Sequence, residues 1–446
     1  MIAAVVLFLG LFVGLSIAWL GPIAALGITA LASIPLCIRH PRYPVYVFVL
    51  TSFFAGANLN TGSFVIGLDD IGVLLIIGVW LARRLSARGD VRLPLGFGWL
   101  LLYATLAYLS LINGVSPDGY HGLYVRFLTR VIALFAFVDL VRSEQVLVNC
   151  LYFLGLSAVI HAMIAFSMDQ SMSGRLGGLI DQPNILGTTL SLGLIPLIGL
   201  AQLQRGLLPK LLCFAAIVGI AVAIILTGSR GVYVALIPAL IWSVRRHPAR
   251  ILVIGILGSL SLFSAKEYSQ EQVQSIERRL QFRDVSVGKR TNVLDVAARL
   301  TMKFPLLGIG FGQISHAYKV INVEYDRGRT AHSFLVGIAA SLGLPALMAM
   351  LLFLWNQFRG LIRHRASLPP KSAAPGGNSW LAEQAFTLFI FQFLSLVTRS
   401  AQMFDWAIFA LFAALVWVIR AQEENDQSSP EGMPTSWGRA GTLSST

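Results

Sequence analysis

The residues best suited to chemistry in this chain are arginines that lie near the ends of long apolar segments. Arg230 lies in Leu226-Thr-Gly-Ser-Arg-Gly231, a tight turn between two apolar stretches with no acidic residue close in sequence. Arg175 lies in another short loop, whereas Arg290 and His332 belong to a long polar stretch. Arginine offers planar, bidentate donors that stay charged, and histidine exchanges a proton near neutral pH. For Arg230, a functional role is favoured over a snorkelling arginine that anchors a helix end. Arg175 fits a functional role and an ordinary loop equally well, and His332 taken alone fits best a capping or interfacial histidine.

A second set of charges lies within apolar segments. Arg126 and Arg130 are four residues apart and therefore share one face of a predicted helix, and Asp69 and Asp70 open another predicted helix from the same side. Arginines inside a membrane usually face a cavity or a partner. Two interpretations stay open: a structural ion-pair cluster, or a substrate-binding group formed by Arg126, Arg130 and Asp70. His161, which stands alone in an apolar segment, is predicted to be a core histidine.

The composition around these residues is that of a membrane protein. Of 446 residues, 56% are hydrophobic and 12% are charged, whereas a soluble chain is roughly a quarter charged. This excludes a large soluble enzyme, a disordered protein and a secreted disulfide scaffold. The net charge of +13 falls largely in short loops, where it sets orientation, so no nucleic-acid partner is predicted. The three cysteines are isolated, and neither a disulfide framework nor a zinc site is predicted.

Apolar blocks long enough to cross a bilayer predict an all-α, polytopic integral membrane protein. Fourteen spans are predicted, and twelve is the alternative, because two of the spans are short and the first two are separated only by Gly21-Pro22. The predicted spans are 2–20, 22–38, 43–59, 66–82, 95–113, 123–140, 146–167, 185–203, 211–227, 231–244, 251–263, 333–356, 381–398 and 404–420.

Clusters of basic residues follow every second span and therefore all fall on one side of the membrane. They are Arg39 and Arg42; Arg83, Arg84, Arg88 and Arg92; Arg142; Arg205 and Lys210; Arg245, Arg246 and Arg250; and Arg359, Arg363, Arg365 and Lys371. Positive charge in short loops is retained in the cytoplasm. Both termini are therefore predicted to be cytoplasmic, and the opposite face is the outer one, which is the periplasm in a Gram-negative cell.

The same pattern divides the chain into four parts. Residues 1–263 form an N-terminal transmembrane bundle, and residues 264–332 form a large, cationic and partly helical periplasmic loop. Residues 333–420 form the C-terminal transmembrane helices, and residues 421–446 form a disordered cytoplasmic tail. Within the loop, apolar residues recur at helical spacing up to Leu300, and Pro305 is predicted to end that helix.

Four short stretches, taken in order, resemble the O-antigen ligase / polysaccharide polymerase superfamily of bacterial membrane glycosyltransferases. They are Arg175 to Asn184; Leu226-Thr-Gly-Ser-Arg-Gly231; Lys289-Arg290 followed by Pro305-Leu-Leu-Gly-Ile-Gly310; and Ala331-His332-Ser-Phe-Leu335 with Gly343 downstream. The resemblance covers about residues 170–350, and the earlier spans resemble the superfamily only in general architecture.

The resemblance implies a donor glycan on undecaprenyl diphosphate, presented at the outer leaflet. The acceptor is another lipid-linked repeat unit in a polymerase, or lipid A-core in a ligase; polymerase is slightly preferred, because nothing identifies a lipid A-core acceptor. Neither a cofactor, a nucleotide sugar nor a metal is implied. Arg230 and Arg290 would clamp the diphosphate, with Arg175 as a third contact. His332 would be the general base or, if protonated, a further phosphate donor.

Two other classes of protein compete with this interpretation. A transporter or flippase of lipid-linked oligosaccharide is the main alternative, and internal repeats with broken helices at mid-membrane would favour it. No such repeat is apparent, and the charges gather toward one face instead of the membrane centre. A structural membrane scaffold would leave the outward-facing arginines without a role.

Thiol labelling tests the predicted topology. In a cysteine-free background, a membrane-impermeant maleimide should label Lys303→Cys in intact spheroplasts, because the loop 264–332 is outside. Arg88→Cys and Asn425→Cys should be labelled only after the membrane is permeabilised. Labelling of residue 88 or 425 in intact spheroplasts would contradict the topology and would put the arginine-bearing loops on the cytoplasmic side.

Overall fold

The computed structural model describes residues 35–54, 58–60, 65–86, 91–114, 120–168, 175–180, 182–244, 285–316, 333–367, 378–398 and 403–428. The predicted spans 2–20 and 251–263, most of 22–38, residues 264–284 and 317–332 of the large loop, including His332, and the tail from residue 429 lie outside these residues.

Helices account for most of the described chain. They are α1 (Arg42–Thr51), α2 (Leu68–Ser86), α3 (Phe97–Leu109), α4 (Tyr120–Leu140), α5 (Glu144–Ser167), α6 (Pro183–Leu203), α7 (Leu207–Thr227), α8 (Arg230–Val244), α9 (Val285–Lys303), α10 (Phe334–Leu342), α11 (Leu344–Ser367), α12 (Asn378–Thr398) and α13 (Met403–Ser428). Short 3₁₀ turns occupy Ser110–Asn113, Gly178–Ile180 and Gln313–His316. One small antiparallel hairpin joins β1 (Asn58–Asn60) to β2 (Val65–Gly67), with Leu59 opposite Ile66.

The all-α, polytopic architecture predicted from the sequence is confirmed. Five described helices are long and apolar enough to cross a membrane: Glu144–Ser167, Pro183–Leu203, Leu207–Thr227, Leu344–Arg363 and Trp380–Thr398. The predicted spans between 66 and 244 match α2 to α8 to within about one helical turn.

Three predicted segments differ from the structure. The span 43–59 ends as a helix at Thr51, because the chain leaves α1 for the hairpin. The span 333–356 is two helices instead of one. The last helix continues to Ser428, past the predicted tail boundary at 421, because the residues after Arg420 include several good helix formers.

Burial separates central helices from peripheral ones. Nearly every residue of α6 from Ile185 to Leu200 is buried, and so is α13 from Asp405 to Val418. A helix that is apolar all round and buried on every side lies in the middle of a bundle. In contrast, α7 is strongly apolar but exposes Leu207, Leu208 and Leu211. A surface of this kind is stable against lipid and would be costly in water.

The helix that re-enters the bundle after the large loop is broken at Gly343, between α10 and α11. Gly343 has φ +87°, and a Cβ there would lie 2.3 Å from the carbonyl oxygen of Leu306. The Pro305 carbonyl accepts a hydrogen bond of 2.8 Å from the backbone N–H of Leu344, so the loop satisfies a backbone donor that the break frees. The amides of Ile309 and Gly310 donate to the carbonyls of the last turn of α10. The loop is thus part of the helix break.

A glycine substitution tests this junction. Gly343→Ala should destabilise the protein by about 1–3 kcal/mol, because it forces an alanine into a left-handed backbone and against Leu306. Gly78→Ala is the matched control: Gly78 lies within α2, and its Cβ position has no atom within 4 Å. The control should leave stability unchanged or raise it slightly. Equal thermal-unfolding midpoints for wild type and Gly343→Ala, measured in detergent by fluorescence-detected gel filtration, would contradict the proposed junction.

Candidate functional site

The described helices begin and end at two opposite ends of the bundle, here called the upper and the lower end. The upper end comprises the starts of α2, α6 and α8, the ends of α5, α7 and α12, and the turn from Pro305 to Gln313. The lower end comprises the starts of α1, α3 and α5 and the ends of α2, α4 and α13. Asp70, Arg175 and Arg230 lie in or directly beside elements of the upper end, Arg126 and Arg130 lie in the upper half of α4, and Arg290 lies in α9 of the large loop.

Two of the predicted stretches meet at the upper end. The Nε of Arg175 donates a 2.6 Å hydrogen bond to the carbonyl of Thr227, the last residue of α7. The Asn184 side-chain oxygen accepts from Arg175 Nη2 at 3.4 Å and from the Ser229 hydroxyl at 2.8 Å. The backbone N–H of Leu176 adds a bond of 3.2 Å to the carbonyl of Leu226. The loop that carries Arg175 therefore holds the turn that leads to Arg230.

The turn itself follows from its sequence. Gly228 adopts φ +55° directly after α7, a conformation that glycine reaches without strain, and its N–H donates to the carbonyl of Ile225. Ser229 is buried, and Arg230 begins α8 with its side chain half-buried. Gly231 allows close packing on α12, since a Cβ there would lie 3.2 Å from the Thr398 hydroxyl. Arg230 is therefore held at a helix start that is fixed from two sides.

The charged residues on α2 and α4 form the predicted ion-pair cluster. Arg130 is 2% exposed, and its Nη2 lies 2.6 Å from an oxygen of Asp69 and also donates to Asp70. Asp70 in turn accepts from the backbone N–H of Gly67 at 3.0 Å, which ties the cluster to the hairpin. Arg126 lies 3.4 Å from Asp70, with 42% of its side chain exposed. The predicted pairing is confirmed, and of the two arginines Arg126 is the more accessible.

Sequence reasoning missed an aromatic group that anchors the glycine-rich turn. Phe311, between Gly310 and Gly312, lies 5.3 Å from Phe127 and 6.0 Å from Tyr124, ring centre to ring centre. Both of these partners lie on α4, where their spacing of three residues puts them on one face. Trp406 of α13 packs on Phe127 at 5.3 Å. Two features of the sequence could have indicated this contact: the three-residue spacing of Tyr124 and Phe127, and the single aromatic residue between Gly310 and Gly312.

The large loop also packs on the helix that follows His332. An apolar group joins α9 and the glycine-rich turn to α10; its members are Val296, Ala297, Leu300, Ile309, Ile314 and Ala340. Ser333 caps α10, and its hydroxyl accepts a 3.5 Å hydrogen bond from the Val336 N–H. As predicted, the loop helix ends before Pro305. Arg290 lies within α9, but its side chain and all of His332 are outside the described part of the protein, so their roles stay predictions.

His161 is a core residue, as predicted. It is 3% exposed, its Nδ1 lies 2.9 Å from the carbonyl of Ser157, and its ring stacks obliquely on Phe54 at 4.4 Å. Among the described residues, no three His, Cys, Asp or Glu side chains converge as metal ligands would.

Fold and charge placement together define a multi-pass, α-helical membrane protein with arginines fixed at one end of its bundle. Residues 214–351 match the family model of the O-antigen ligases. The match confirms the resemblance to the O-antigen ligase / polysaccharide polymerase superfamily and supports an O-antigen ligase-type glycosyltransferase. It includes α8 with Arg230, α9 with Arg290, and the break at Gly343. A comparison with curated protein sequences finds no match.

Stability measurements separate a structural role of Arg130 from a substrate-binding role. Arg130→Met should cost about 3–5 kcal/mol, because it leaves buried Asp69 and the neighbouring Asp70 without their cation. Arg299→Ala is the control; it breaks an exposed pair with Asp295 and should cost at most about 1 kcal/mol. Thermal unfolding of the purified proteins measures both. A fully stable Arg130→Met protein that no longer binds donor lipid would contradict the structural role.

Proposed function

We propose that this protein is a glycosyltransferase of surface-polysaccharide assembly. It transfers a glycan from undecaprenyl diphosphate to an acceptor at the upper end of the bundle, which faces the periplasm, while both termini are in the cytoplasm. Polymerisation of lipid-linked repeat units is the preferred reaction, and ligation of O-antigen to lipid A-core is the alternative. The membrane is the bacterial inner membrane.

One observation carries the proposal: the turn that holds Arg230 is locked in place, and it lies in the segment that matches the O-antigen ligases. Arg230 is the first residue of α8, a helix of 15 residues. A helix N-terminus carries a partial positive charge and amide donors, so it disfavours a cation but attracts an anion. The partial charge is unfavourable for Arg230, which the rigid turn holds there. A bound phosphate offsets this unfavourable interaction.

Arg175 has a different part in this proposal. Its guanidinium is already used in bonds to Thr227 and Asn184, so it acts chiefly by positioning the turn. Arg230 and Arg290 contact the diphosphate. Arg126, whose side chain is partly exposed beside Asp70, contacts the substrate. Arg130 and Asp70 hold this part of the upper end in place.

The chemistry assigned to these residues is a single displacement. An acceptor hydroxyl oxygen forms a bond to the anomeric carbon of the donor, and the bond from that carbon to the diphosphate oxygen breaks. The proton of the hydroxyl passes to His332, and the diphosphate leaves with the extra negative charge. Preorganised arginines stabilise this charge as it develops, which lowers the barrier without further reorganisation.

Substitutions at the clamp test the proposal. Arg230→Ala or Arg290→Ala should lower glycan transfer about a hundredfold or more while the protein stays in the membrane. Lysine should restore part of the activity, since it keeps the charge but loses bidentate geometry. Arg205→Ala, an exposed arginine of the α6–α7 connection, is the control and should transfer normally. Full activity of both clamp variants in proteoliposomes, at normal protein levels, would rule out the clamp.

His332 is tested by separating binding from turnover. If it is the general base, His332→Ala should bind the lipid-linked donor normally but turn over slowly, and wild-type activity should fall on acidification, because imidazolium cannot accept a proton. If it is a cationic phosphate donor, the variant should bind donor less tightly and wild-type activity should rise on acidification. Unchanged binding and turnover in His332→Ala would remove this residue from the mechanism.

A further inference from the structure

The lower end of the bundle contains a cavity of about 460 Å³. It lies where α1 and α5 begin and where α2 and α4 end, on the opposite side of the protein from Arg230. Four arginines from three separate stretches of chain line it: Arg42, Arg83, Arg84 and Arg142. His40 also lines the cavity, and Trp80, Leu140 and Val146 provide an apolar wall.

Asp139 is the one acidic residue among the described residues that line this cavity, and its charge is already used. It is buried, and its carboxylate accepts from Arg84 Nε at 2.7 Å, from the Trp80 indole N–H at 2.8 Å and from the backbone N–H of Arg92 at 3.1 Å. A second nitrogen of Arg84 completes a bidentate pair. Arg84 and Asp139 therefore cancel each other and form a rigid floor.

The other three arginines leave the cavity strongly positive. Within the described part of the chain, no ion pair joins Arg42, Arg83 or Arg142 to an acidic residue; Arg42 instead lies over the ring of Tyr43 at 5.4 Å. Arg42 and Arg142 are exposed, and Arg83 is half-buried. Orientation of a membrane protein requires positive charge on one side but not its convergence on a cavity. The convergence of these arginines on one cavity therefore indicates that the cavity binds an anionic ligand.

We propose that this cavity binds the phosphate group of an anionic phospholipid from the leaflet at the lower end. Basic pockets between transmembrane helices on the cytoplasmic side suit such headgroups. Arginine binds phosphate oxygens bidentately, and the wall of Trp80, Leu140 and Val146 suits the glycerol and the first methylenes of the acyl chains. A free phosphate would meet the same arginines but would gain nothing from that wall. The proposal does not depend on the reaction at the upper end.

Lipid binding to the delipidated, full-length protein tests this site. Native mass spectrometry should show cardiolipin and phosphatidylglycerol bound in preference to phosphatidylcholine. The double variant Arg83→Gln/Arg142→Gln should bind these anionic lipids about tenfold or more weakly, since each arginine near an anionic headgroup contributes appreciably. Arg205→Gln/Lys210→Gln is the matched control; it removes two exposed charges from the same end but outside the cavity, and should bind normally. Arg42→Gln gives a second, single-site variant if the double variant does not fold.

Three results would overturn the proposal. Equal weakening in the cavity variant and in the control would mean that the lipid responds only to the overall charge of the lower end. Unchanged binding in both Arg83→Gln/Arg142→Gln and Arg42→Gln would leave these arginines as topology signals. Saturable binding of inorganic phosphate with no preference for anionic lipid would assign the cavity to a soluble phosphate compound.

Discussion

The need to satisfy every backbone hydrogen bond inside a membrane governs where this chain can leave the helical conformation. Lipid offers no donors or acceptors, so irregular backbone survives only where protein covers it. The break at Gly343 meets this requirement because the Pro305 carbonyl binds the first amide of α11. The turn after α7 meets it because Arg175 binds the Thr227 carbonyl. Both departures occur at the upper end, and each brings a loop with charged residues against the bundle.

Charge is used in two distinct ways along the same helices. Arg130 and Arg84 are satisfied by aspartates, one pair at each end of the contact between α2 and α4, and both join helices that are otherwise held by apolar packing. A buried ion pair of this kind contributes little net stability but is costly to break, so it favours one register of the two helices. Arg230, Arg126 and the three other arginines of the lower cavity, Arg42, Arg83 and Arg142, lie where a ligand can reach them.

Features of the fold that depend on neighbouring residues in the chain were predictable from the sequence. The length of the apolar blocks predicted α2 to α8 well, because a helix that crosses a membrane is specified by its own residues. The partnership of Arg126 and Arg130 with Asp69 and Asp70 was also predictable, because charges in an apolar segment need partners at the same depth.

Other features depend on contacts distant in sequence. The split between α10 and α11 follows from a loop some forty residues earlier in the chain, so hydropathy predicted one span there. The role of Asn184, which bridges Arg175 and Ser229, and the docking of Phe311 on α4 required the tertiary arrangement for the same reason. The strands Asn58–Asn60 and Val65–Gly67 lie where the predicted spans 43–59 and 66–82 adjoin, and their pairing depends on the tertiary arrangement as well.

Photocrosslinking of the donor lipid would test the central claim, that the arginine-bearing turns of the upper end bind undecaprenyl diphosphate, most directly. A photoreactive undecaprenyl-diphosphate analogue is incorporated into proteoliposomes with the wild-type protein, and the modified peptides are identified by mass spectrometry. The account predicts labelling of peptides that contain Leu226 to Gly231 or Arg290, with loss of that labelling when unlabelled undecaprenyl diphosphate is in excess. Competed labelling confined to the lower end, or labelling that no competitor removes, would contradict it.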